Sequence, residues 1–304
     1  MARSRFIRDT GLTVRMTTVM FLLGALFVGL VVTLMFIVRS PALSLLIGLV
    51  GIGIAFYQWY ASDSLAMRAM RAREVTAQQA PELHAMIDRL CAMADMPKPR
   101  VGVADLDLPN AFATGRSPDR AVVCVTTGIL GKLTAEELEG VLAHELSHVA
   151  HRDVLVMTVA STAGIIAGMI TRGAQWGGLS FGRSRDRNVV AMYFLTLLVS
   201  LVVYAISFFL TRMLSRYREL CADRSGAYLT MKPAALASAL QKITGEMAAI
   251  PQRDLRATRA MNAFFIAPAI SGATLRTLSS THPSLEQRLE QLARIQAELS
   301  RPTA

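Results

Sequence analysis

The feature that most constrains this chain is a run of 23 residues without a charge, at positions 16–38. An α-helix crosses the hydrocarbon core of a bilayer with about 20 residues, so this run is long enough to span it. The run is too long for the apolar part of a signal peptide, and no clear small-residue cleavage site follows it. We therefore predict an uncleaved signal anchor and a chain that folds partly within a membrane.

A second apolar run, at positions 43–61, follows a short turn and ends near Trp59 and Tyr60. Aromatic side chains at the end of such a run are typical of the interface between lipid and water. The two runs predict a transmembrane hairpin that occupies residues 1–61. Arginines precede the first run and follow the second, which predicts that both ends of the hairpin lie in the cytoplasm.

The composition agrees with a membrane protein, because 53 % of the residues are hydrophobic and only 18 % are charged. The net charge of +10 comes almost entirely from arginines that flank apolar runs. This arrangement favours anionic lipid over nucleic acid as the partner of the basic residues. The three cysteines form no C-x-x-C pair, so we predict neither a disulfide framework nor a thiolate metal site.

The remaining chain predicts a water-exposed domain, 62–153 and 212–304, with a second apolar pair inserted at 154–211. Apolar residues recur at helical spacing over 80–96, and short β-branched segments predict a few strands. The fold class is therefore α+β and mostly helical, with a small sheet and transmembrane helices. Thr134 and the glutamate three residues later form a capping-box pattern, which predicts the start of a helix.

The inserted pair consists of the apolar runs 154–170 and 189–210. The first is rich in small residues, which favours close helix packing. The loop 171–188 between them carries four arginines, and such a loop is not expected to cross a membrane. The pattern leaves open whether the two runs cross the bilayer or are only embedded in it.

The predicted helix after Thr134 carries the pattern H-E-x-x-H, with His144, Glu145 and His148. Two histidines four residues apart lie on one face of a helix and can bind one metal ion. Glu145 lies about 100° further round the helix, where it can reach a water molecule on that ion. His151 lies about 10 Å along the axis from His144 in a continuous helix, too far for the same ion.

A third ligand has to come from another segment, and Glu219 is the best candidate. Glu219 and Asp223 are also four residues apart, so both lie on one helical face. Glu219 would complete a site of two histidines and one glutamate, with a fourth position left for water. Asp223 would not bind the metal itself but would accept a hydrogen bond from the N–H of a ligating histidine, on the ring nitrogen that faces away from the metal.

These segments resemble a known family. The resemblance rests on the two N-terminal apolar runs and on three motifs, H-E-L-S-H-V-A-H-R-D at 144–153, S-R-Y-R-E-L-C-A-D at 215–223 and T-H-P-S-L-E-Q-R-L at 281–289. Together these features resemble the HtpX family of membrane-bound zinc metalloproteases. The wider relation is to CAAX prenyl proteases, which are zinc enzymes of the gluzincin type. The resemblance covers nearly the whole chain.

The resemblance implies a zincin-like catalytic domain with one Zn²⁺ per chain. It implies metal ligation by His144, His148 and Glu219, and the general base role for Glu145. Two residues near the C-terminus match positions that contact substrate in the prenyl proteases, His282 as an oxyanion donor and Arg288. The segment Asn110, Ala111 and Phe112 resembles the family's substrate-side strand, to which a peptide adds by main-chain hydrogen bonds.

The function implied is an endopeptidase of the bacterial inner membrane, active on cytoplasmic or membrane-emerging segments of misfolded membrane proteins during stress. Two alternatives stay open: a membrane scaffold that holds zinc without catalysis, and a CAAX-type prenyl-peptide protease. The chain has far fewer apolar runs than the prenyl proteases, which disfavours the second alternative. An intramembrane protease is also disfavoured, because the helix that carries H-E-x-x-H is too polar to lie in lipid.

Overall fold

The computed structural model describes residues 10–38, 41–158, 164, 166–168, 187–249 and 282–301. The chain divides into two compact units. The first unit contains Tyr60–Val154 and Ser215–Ala304, and the second contains Thr13–Trp59 and Leu155–Leu214.

The described elements are mostly helices. They are α1 (Thr10–Val38), α2 (Pro41–Tyr60), α3 (Ser62–Ala69), α4 (Pro81–Ala94), α5 (Thr127–Lys132), α6 (Ala135–Ala150), α7 (Arg187–Thr230), α8 (Pro233–Ala249) and α9 (Leu285–Leu299). The strands are β1 (Ala72–Glu74), β2 (Arg100–Ala104), β3 (Ala111–Thr114) and β4 (Val122–Thr126). The predicted α+β class, mostly helical with a small sheet, is therefore confirmed.

The four strands form one sheet in the order β1-β2-β4-β3. Strands β2 and β4 are parallel, whereas β1 and β3 pair antiparallel with their neighbours. Strand β3 is thus an edge strand whose second side is not paired with any described strand. The strand expected at the segment of Asn110, Ala111 and Phe112 is present at this edge, as β3 (Ala111–Thr114).

The first unit has its main core on one face of this sheet, where helices α4, α6, α8 and α9 pack. Buried residues such as Ile87, Val123 and Leu142 contribute to this core. The opposite face of the sheet packs Phe112 and Cys124 against Ala66 and Met70 at the end of α3. The alternation along β4 puts successive side chains into the two cores, because side chains of a strand point to opposite faces.

The second unit is built from apolar helices. Leu30 and Val203 pack together in one cluster, while Leu23 and Leu214 pack in another. Large apolar side chains of α1, α2 and α7 remain exposed, for example Phe21, which is 73 % exposed. Apolar side chains on the outside of a helix are expected where lipid is the solvent.

Among the described residues, two helices are long and apolar enough to cross a membrane, by length and composition. These stretches are Val14–Thr33 in α1 and Phe194–Thr230 in α7, and a third arises if α2 and α3 count as one broken span. The predicted run 189–210 and the polar helix after it are one continuous helix, α7. Residues 171–186 of the loop, residues 159–163, 165 and 169–170 of the run 154–170, and residues 250–281 lie outside the described residues. The question whether the second pair crosses the bilayer, which the sequence leaves open, lies outside them as well.

Candidate metal centre

Helix α6 begins with the capping box that the sequence predicts. Thr134 accepts a hydrogen bond from the Glu137 backbone N–H at 3.3 Å, and the Glu137 carboxylate accepts one from the Thr134 N–H at 2.8 Å. The helix buries most of its side chains in the main core, and His144 is only 1 % exposed. A buried helix with a defined start holds His144, Glu145 and His148 at fixed positions.

Helix α7 approaches α6 closely at a glycine. A Cβ built on Gly226 would lie 2.9 Å from the His144 backbone nitrogen and 3.2 Å from its Cα. Only a residue without a Cβ permits this approach of the two backbones. The contact brings the face of α7 that carries Glu219 and Asp223 against the histidines of α6.

The three predicted ligands lie together. His144 Nε2 and His148 Nε2 are 3.2 Å apart, and the Glu219 carboxylate oxygens lie 3.6 Å and 3.5 Å from them respectively. One ligand atom from each residue lies within 4.8 Å of the other two. A tetrahedral ion with bonds of about 2.0–2.1 Å separates its ligand atoms by about 3.3 Å, which matches these distances.

Two buried aspartates determine which ring nitrogens of the histidines carry protons. His144 Nδ1 lies 2.9 Å from Asp223, and His148 Nδ1 lies 2.5 Å from Asp153. A carboxylate accepts the ring N–H, so in a neutral ring Nε2 carries the lone pair, which can bind a proton or a metal ion. Two such nitrogens and the Glu219 oxygens face one another, and these lone pairs repel unless a cation lies between them. The donor set therefore fits a divalent metal ion.

Each aspartate is itself paired with an arginine. Arg288 donates to both oxygens of Asp223, at 2.7 Å and 2.6 Å, and Arg218 donates to Asp153 at 2.7 Å. Burial raises the pKa of Asp153, but Arg218 and His148 outweigh this effect and hold it well below its usual range. Both aspartates are thus held as carboxylates, the form that accepts a ring N–H.

The same surroundings favour positive charge at His144. Burial lowers the pKa of His144, but its hydrogen bonds with Asp223 and Glu219 outweigh burial and raise the pKa to about 10. Carboxylates that favour a proton here also favour a metal cation in its place.

Glu145 lies beside this centre and is 5 % exposed. Its Oε2 accepts a hydrogen bond from the Ala113 backbone N–H on β3 at 2.9 Å. Burial raises the pKa of Glu145, and this effect exceeds the opposing influence of His144 and His148. A carboxylate with a raised pKa binds a proton more readily near neutral pH, as a general base requires.

His282 lies against one of the predicted metal ligands. Its Nδ1 lies 3.1 Å from the Glu219 carboxylate, just before the start of α9. The sequence resemblance implies a contact with substrate oxygen, whereas the structure shows a contact with the proposed metal ligand. The assignment of His282 as an oxyanion donor stays a prediction, and its observed contact places it against Glu219.

The other predicted substrate residues, Arg288 and the segment of Asn110, Ala111 and Phe112, are buried. Arg288 is 3 % exposed and faces Asp223, so its guanidinium supports the metal centre from behind and does not present itself to a substrate. Asn110, Ala111 and Phe112 are at most 4 % exposed. Substrate contacts at this segment would therefore have to use the main chain of β3 and not these side chains.

Helix α6 ends at Ala150, and Arg152 adopts a left-handed backbone conformation with φ of 56°. The sequence has no glycine here and therefore predicts that the helix continues. In a continuous helix Asp153 would lie about 140° round from His148, out of reach of its ring. Because the helix breaks, the Asp153 carboxylate can contact the ring of His148. His151 Nδ1 lies 2.8 Å from the Ser147 carbonyl oxygen.

Sequence reasoning missed three residues of this site: Asp153, Arg218 and Gly226. Asp153 and Arg218 carry opposite charges and lie next to the predicted ligands in the sequence, so their charges could have suggested an ion pair at the site. Nothing in the local pattern distinguished Gly226 from other helical glycines, because its importance comes from a neighbour 82 positions earlier.

Comparisons with known proteins agree with this geometry. The sequence profile of peptidase family M48 matches residues 77–296. The chain is 54 % identical over 303 residues to Protease HtpX homolog 1 of Streptomyces coelicolor, covering 99 % of this chain and 98 % of that protein. It is 49 % identical over 291 residues to Protease HtpX homolog of Moorella thermoacetica, covering 96 % of each. The crystal structure of S. mikatae Ste24p has a similar fold, with a TM-score of 0.56 at 18 % identity, over 92 % of this chain and 65 % of that one.

Proposed function

Because this chain belongs to peptidase family M48, among its HtpX-type membrane metallopeptidases, we propose that it is a zinc-dependent endopeptidase for misfolded membrane proteins. The family membership confirms the resemblance that the sequence motifs carry. The observation that supports the proposal most is the convergence of His144, His148 and Glu219 beside the buried Glu145.

Zinc suits this donor set. Two imidazole nitrogens and one carboxylate are ligands that zinc accepts in tetrahedral geometry, and a catalytic site keeps its fourth position for water or substrate. When bound, zinc supplies Lewis acidity, which lowers the pKa of a bound water to about 7. We propose one zinc ion per chain, held by the three residues on α6 and α7.

Glu145 performs the proton transfers in this proposal. Its Oε atoms accept a proton from the attacking water and later deliver it to the nitrogen of the leaving amine. The hydrogen bond from the Ala113 N–H restricts the position of one oxygen of this carboxylate. Because burial raises its pKa, the protonated form is accessible in the second half of the cycle.

The peptide would bind along β3. This strand is at the edge of the sheet, and the Ala113 N–H on its unpaired side points to Glu145. A substrate in extended conformation can add to such an edge by main-chain hydrogen bonds, which places its backbone next to the base. Recognition through the main chain suits an enzyme for unfolded segments, because it requires little of the substrate sequence.

The proposed location is the bacterial inner membrane, as a multi-pass protein with its site on the cytoplasmic side. The apolar helices of the second unit and the arginines that flank them support this orientation. The proposed substrates are cytoplasmic or membrane-emerging segments, and the proposed lipid partners of the basic residues are anionic.

Replacement of Glu145 by glutamine tests the proposal. We expect the full-length protein with zinc, in detergent micelles, to cleave a labelled unfolded casein, and Glu145→Gln to reduce cleavage by at least a hundredfold. Metal analysis should still find one zinc ion per chain in this variant, since Glu145 is not a ligand. A farnesylated C-a-a-X peptide should be a poor substrate.

Glu139→Gln is the matched control, because Glu139 lies on the same helix, is 7 % exposed and pairs with Arg89 away from the metal ligands. It should keep its activity. Equal activity of Glu145→Gln and wild type would refute the catalytic assignment. If the wild type holds zinc but cleaves nothing, the scaffold alternative gains support. Comparison of membrane proteomes with wild type and Glu145→Gln would then identify natural substrates.

A further inference from the structure

A cleft lies between the end of β3 and the C-terminal end of α6, and the proposed proton transfers do not use it. Its walls include Ala113, Gly115 and Ser117 on the strand side, and His148 and Arg152 on the helix side. All of these residues belong to the first unit. Ala113 donates to the proposed base and His148 is a proposed metal ligand, so the cleft continues the path proposed for the peptide. A role of this cleft in substrate binding therefore rests on the proposed peptidase function.

The backbone at Arg152 is held in place by its neighbours. Its N–H donates to the Val149 carbonyl oxygen at 3.1 Å, and Asp153 beside it is buried and paired with His148 and Arg218. The φ of 56° at Arg152 is unfavourable for a residue with a Cβ, whereas glycine adopts such a conformation freely. The helix break therefore does not need an arginine, and the side chain is available for another role.

The Arg152 side chain is a cation without a counterion in the part of the chain that the structure describes. The residue is exposed, and none of the described carboxylates forms an ion pair with it. Asp153 next to it already has an arginine partner of its own. On the turn after β3, Arg116 and Arg120 outnumber Asp119. This end of the strand therefore carries an excess of positive charge, which attracts anionic groups.

We propose that Arg152 determines a substrate preference by binding a carboxylate side chain two or three residues N-terminal to the cleaved bond. A guanidinium can donate two parallel hydrogen bonds to a carboxylate, so Glu and Asp fit this position best. A strand rises about 3.3 Å per residue, and Gly115 is two residues beyond Ala113, which contacts the base. A peptide that pairs antiparallel with β3 has its N-terminal side at Gly115, and antiparallel pairs are the more common kind.

The proposed contact has a limited strength that depends on salt. An exposed ion pair changes affinity a few-fold, and hydrogen bonds between two charged groups add to this effect. We expect about a three- to tenfold preference for Glu over Gln at this position of the substrate. The preference should shrink as ionic strength rises from about 0.05 M to about 0.5 M, because salt screens exposed charges.

Digestion of an unfolded protein measures the preference directly. We would incubate the full-length protein with zinc, in detergent micelles, with dephosphorylated and denatured casein, and map the cleaved bonds by mass spectrometry. At the second or third residue before the cut, Asp and Glu should be enriched about three- to tenfold relative to their frequency in casein. Positions after the cut should show no such enrichment.

Two substitutions of Arg152 and one control nearby separate the effect of charge from that of structure. Arg152→Gly should abolish the enrichment but keep one zinc ion per chain, because glycine adopts the backbone conformation of the helix break. Arg152→Glu should replace the enrichment of acidic residues by an enrichment of Lys and Arg. Arg120→Glu makes the same change of charge at an exposed residue that does not line the cleft, and it should keep the preference of the wild type.

Peptide binding provides a readout that does not depend on cleavage. The Glu145→Gln protein would be titrated with short fluorescein-labelled Ala-Thr repeats that carry one central Glu, Gln or Lys. The Glu peptide should bind about three- to tenfold more tightly than the Gln peptide, and Arg152→Glu in the same background should invert the order of the Glu and Lys peptides. Peptide binding that follows the charge at Arg152, without any cleavage of casein by the wild type, would support this inference and refute the peptidase proposal.

Three results would overturn the inference. The first is that wild type, Arg152→Gly and Arg152→Glu cut casein with the same preference or bind the three peptides equally. The second is an enrichment of acidic residues only on the C-terminal side of the cut. The third is that Arg152→Glu changes binding to vesicles that contain phosphatidylglycerol but leaves the substrate preference unchanged, which would assign Arg152 to lipid headgroups.

Discussion

Substitution of Gly226 by alanine tests whether the close approach of α6 and α7 builds the metal centre. The added Cβ would lie 2.9 Å from the His144 backbone nitrogen and 3.2 Å from the carbonyl carbon of Ala143. Ordinary contacts of a Cβ begin at 3.4 Å, so the two helices would have to separate by about 0.5 Å or more. Both neighbours are backbone atoms of a buried helix, and they cannot move aside as a flexible side chain does.

Two opposing effects determine the size of the change. Alanine favours a helix over glycine by about 0.5–1 kcal/mol. Overpacking of a well-packed core costs about 1–3 kcal/mol. We therefore expect the free energy of unfolding to fall by about 1–2 kcal/mol, which corresponds to a decrease in melting temperature of about 2–8 °C. Affinity for zinc should fall as well, because the displaced helices carry the ligands on both sides.

Thermal unfolding can be followed by labelling of the cysteines with a thiol-reactive dye. Cys91, Cys124 and Cys221 are all buried and all lie in the first unit, so the label reports on the unit that holds the metal centre. Burial raises the pKa of Cys91 to about 11 and of Cys124 to about 12, which keeps both thiols unreactive until the unit unfolds. Zinc affinity would be measured by competition with a chelating indicator.

Gly245→Ala is the control, since a Cβ at Gly245 in α8 meets no atom within 4 Å. This variant should be as stable as wild type or slightly more stable, by the helix propensity alone. If Gly226→Ala shows the same gain in stability and binds zinc normally, the reasoning about the two helices is refuted.

Three further outcomes follow from the site and its helix. Asp153→Asn should weaken zinc binding about 10–100-fold, measured by chelator competition, without unfolding the protein. An unchanged zinc affinity would refute the role of Asp153 in holding the ring of His148. Although burial raises the pKa of Glu137, its hydrogen bonds with Lys242, Ser238 and Thr134 lower the pKa to about 2. Glu137→Gln should therefore lose about 1–2 kcal/mol of stability above pH 4.5, after screening at the half-exposed Lys242, and this loss should shrink as the pH falls toward 2. A loss of stability that is the same at every pH in thermal unfolding would contradict this. Zinc at a thousand times its Kd should stabilise the first unit by about 4 kcal/mol against thermal unfolding, and His148→Ala should abolish the effect.

Much of the site is local in the sequence. The i, i+4 spacing of His144 and His148 places them on one face of a helix, whatever the rest of the chain does. The capping box at Thr134 fixes where that helix begins, and it is present in the structure as expected. The apolar runs likewise predict helices from their length and composition, because a single helix satisfies its own backbone groups in lipid.

Other parts depend on contacts that no local pattern contains. Asp153 reaches His148 only because α6 breaks at Arg152, which packing imposes on a residue that has no intrinsic preference for φ of 56°. Arg288 matched a substrate-contact position by motif, yet tertiary packing pairs it with Asp223 behind the metal ligands.

The sequence by itself determined where the helices lie in the chain. It also identified the two histidines, the base Glu145 and the candidate third ligand Glu219. Only the tertiary structure decided that Glu219 meets the histidines, and that two aspartates fix their ring protons. The physical reason is that helix periodicity is set by residues three or four positions apart, whereas the distance between α6 and α7 is set by packing between them. The absence of a Cβ at Gly226 therefore helps to build the metal centre, although no local sequence pattern marks this glycine.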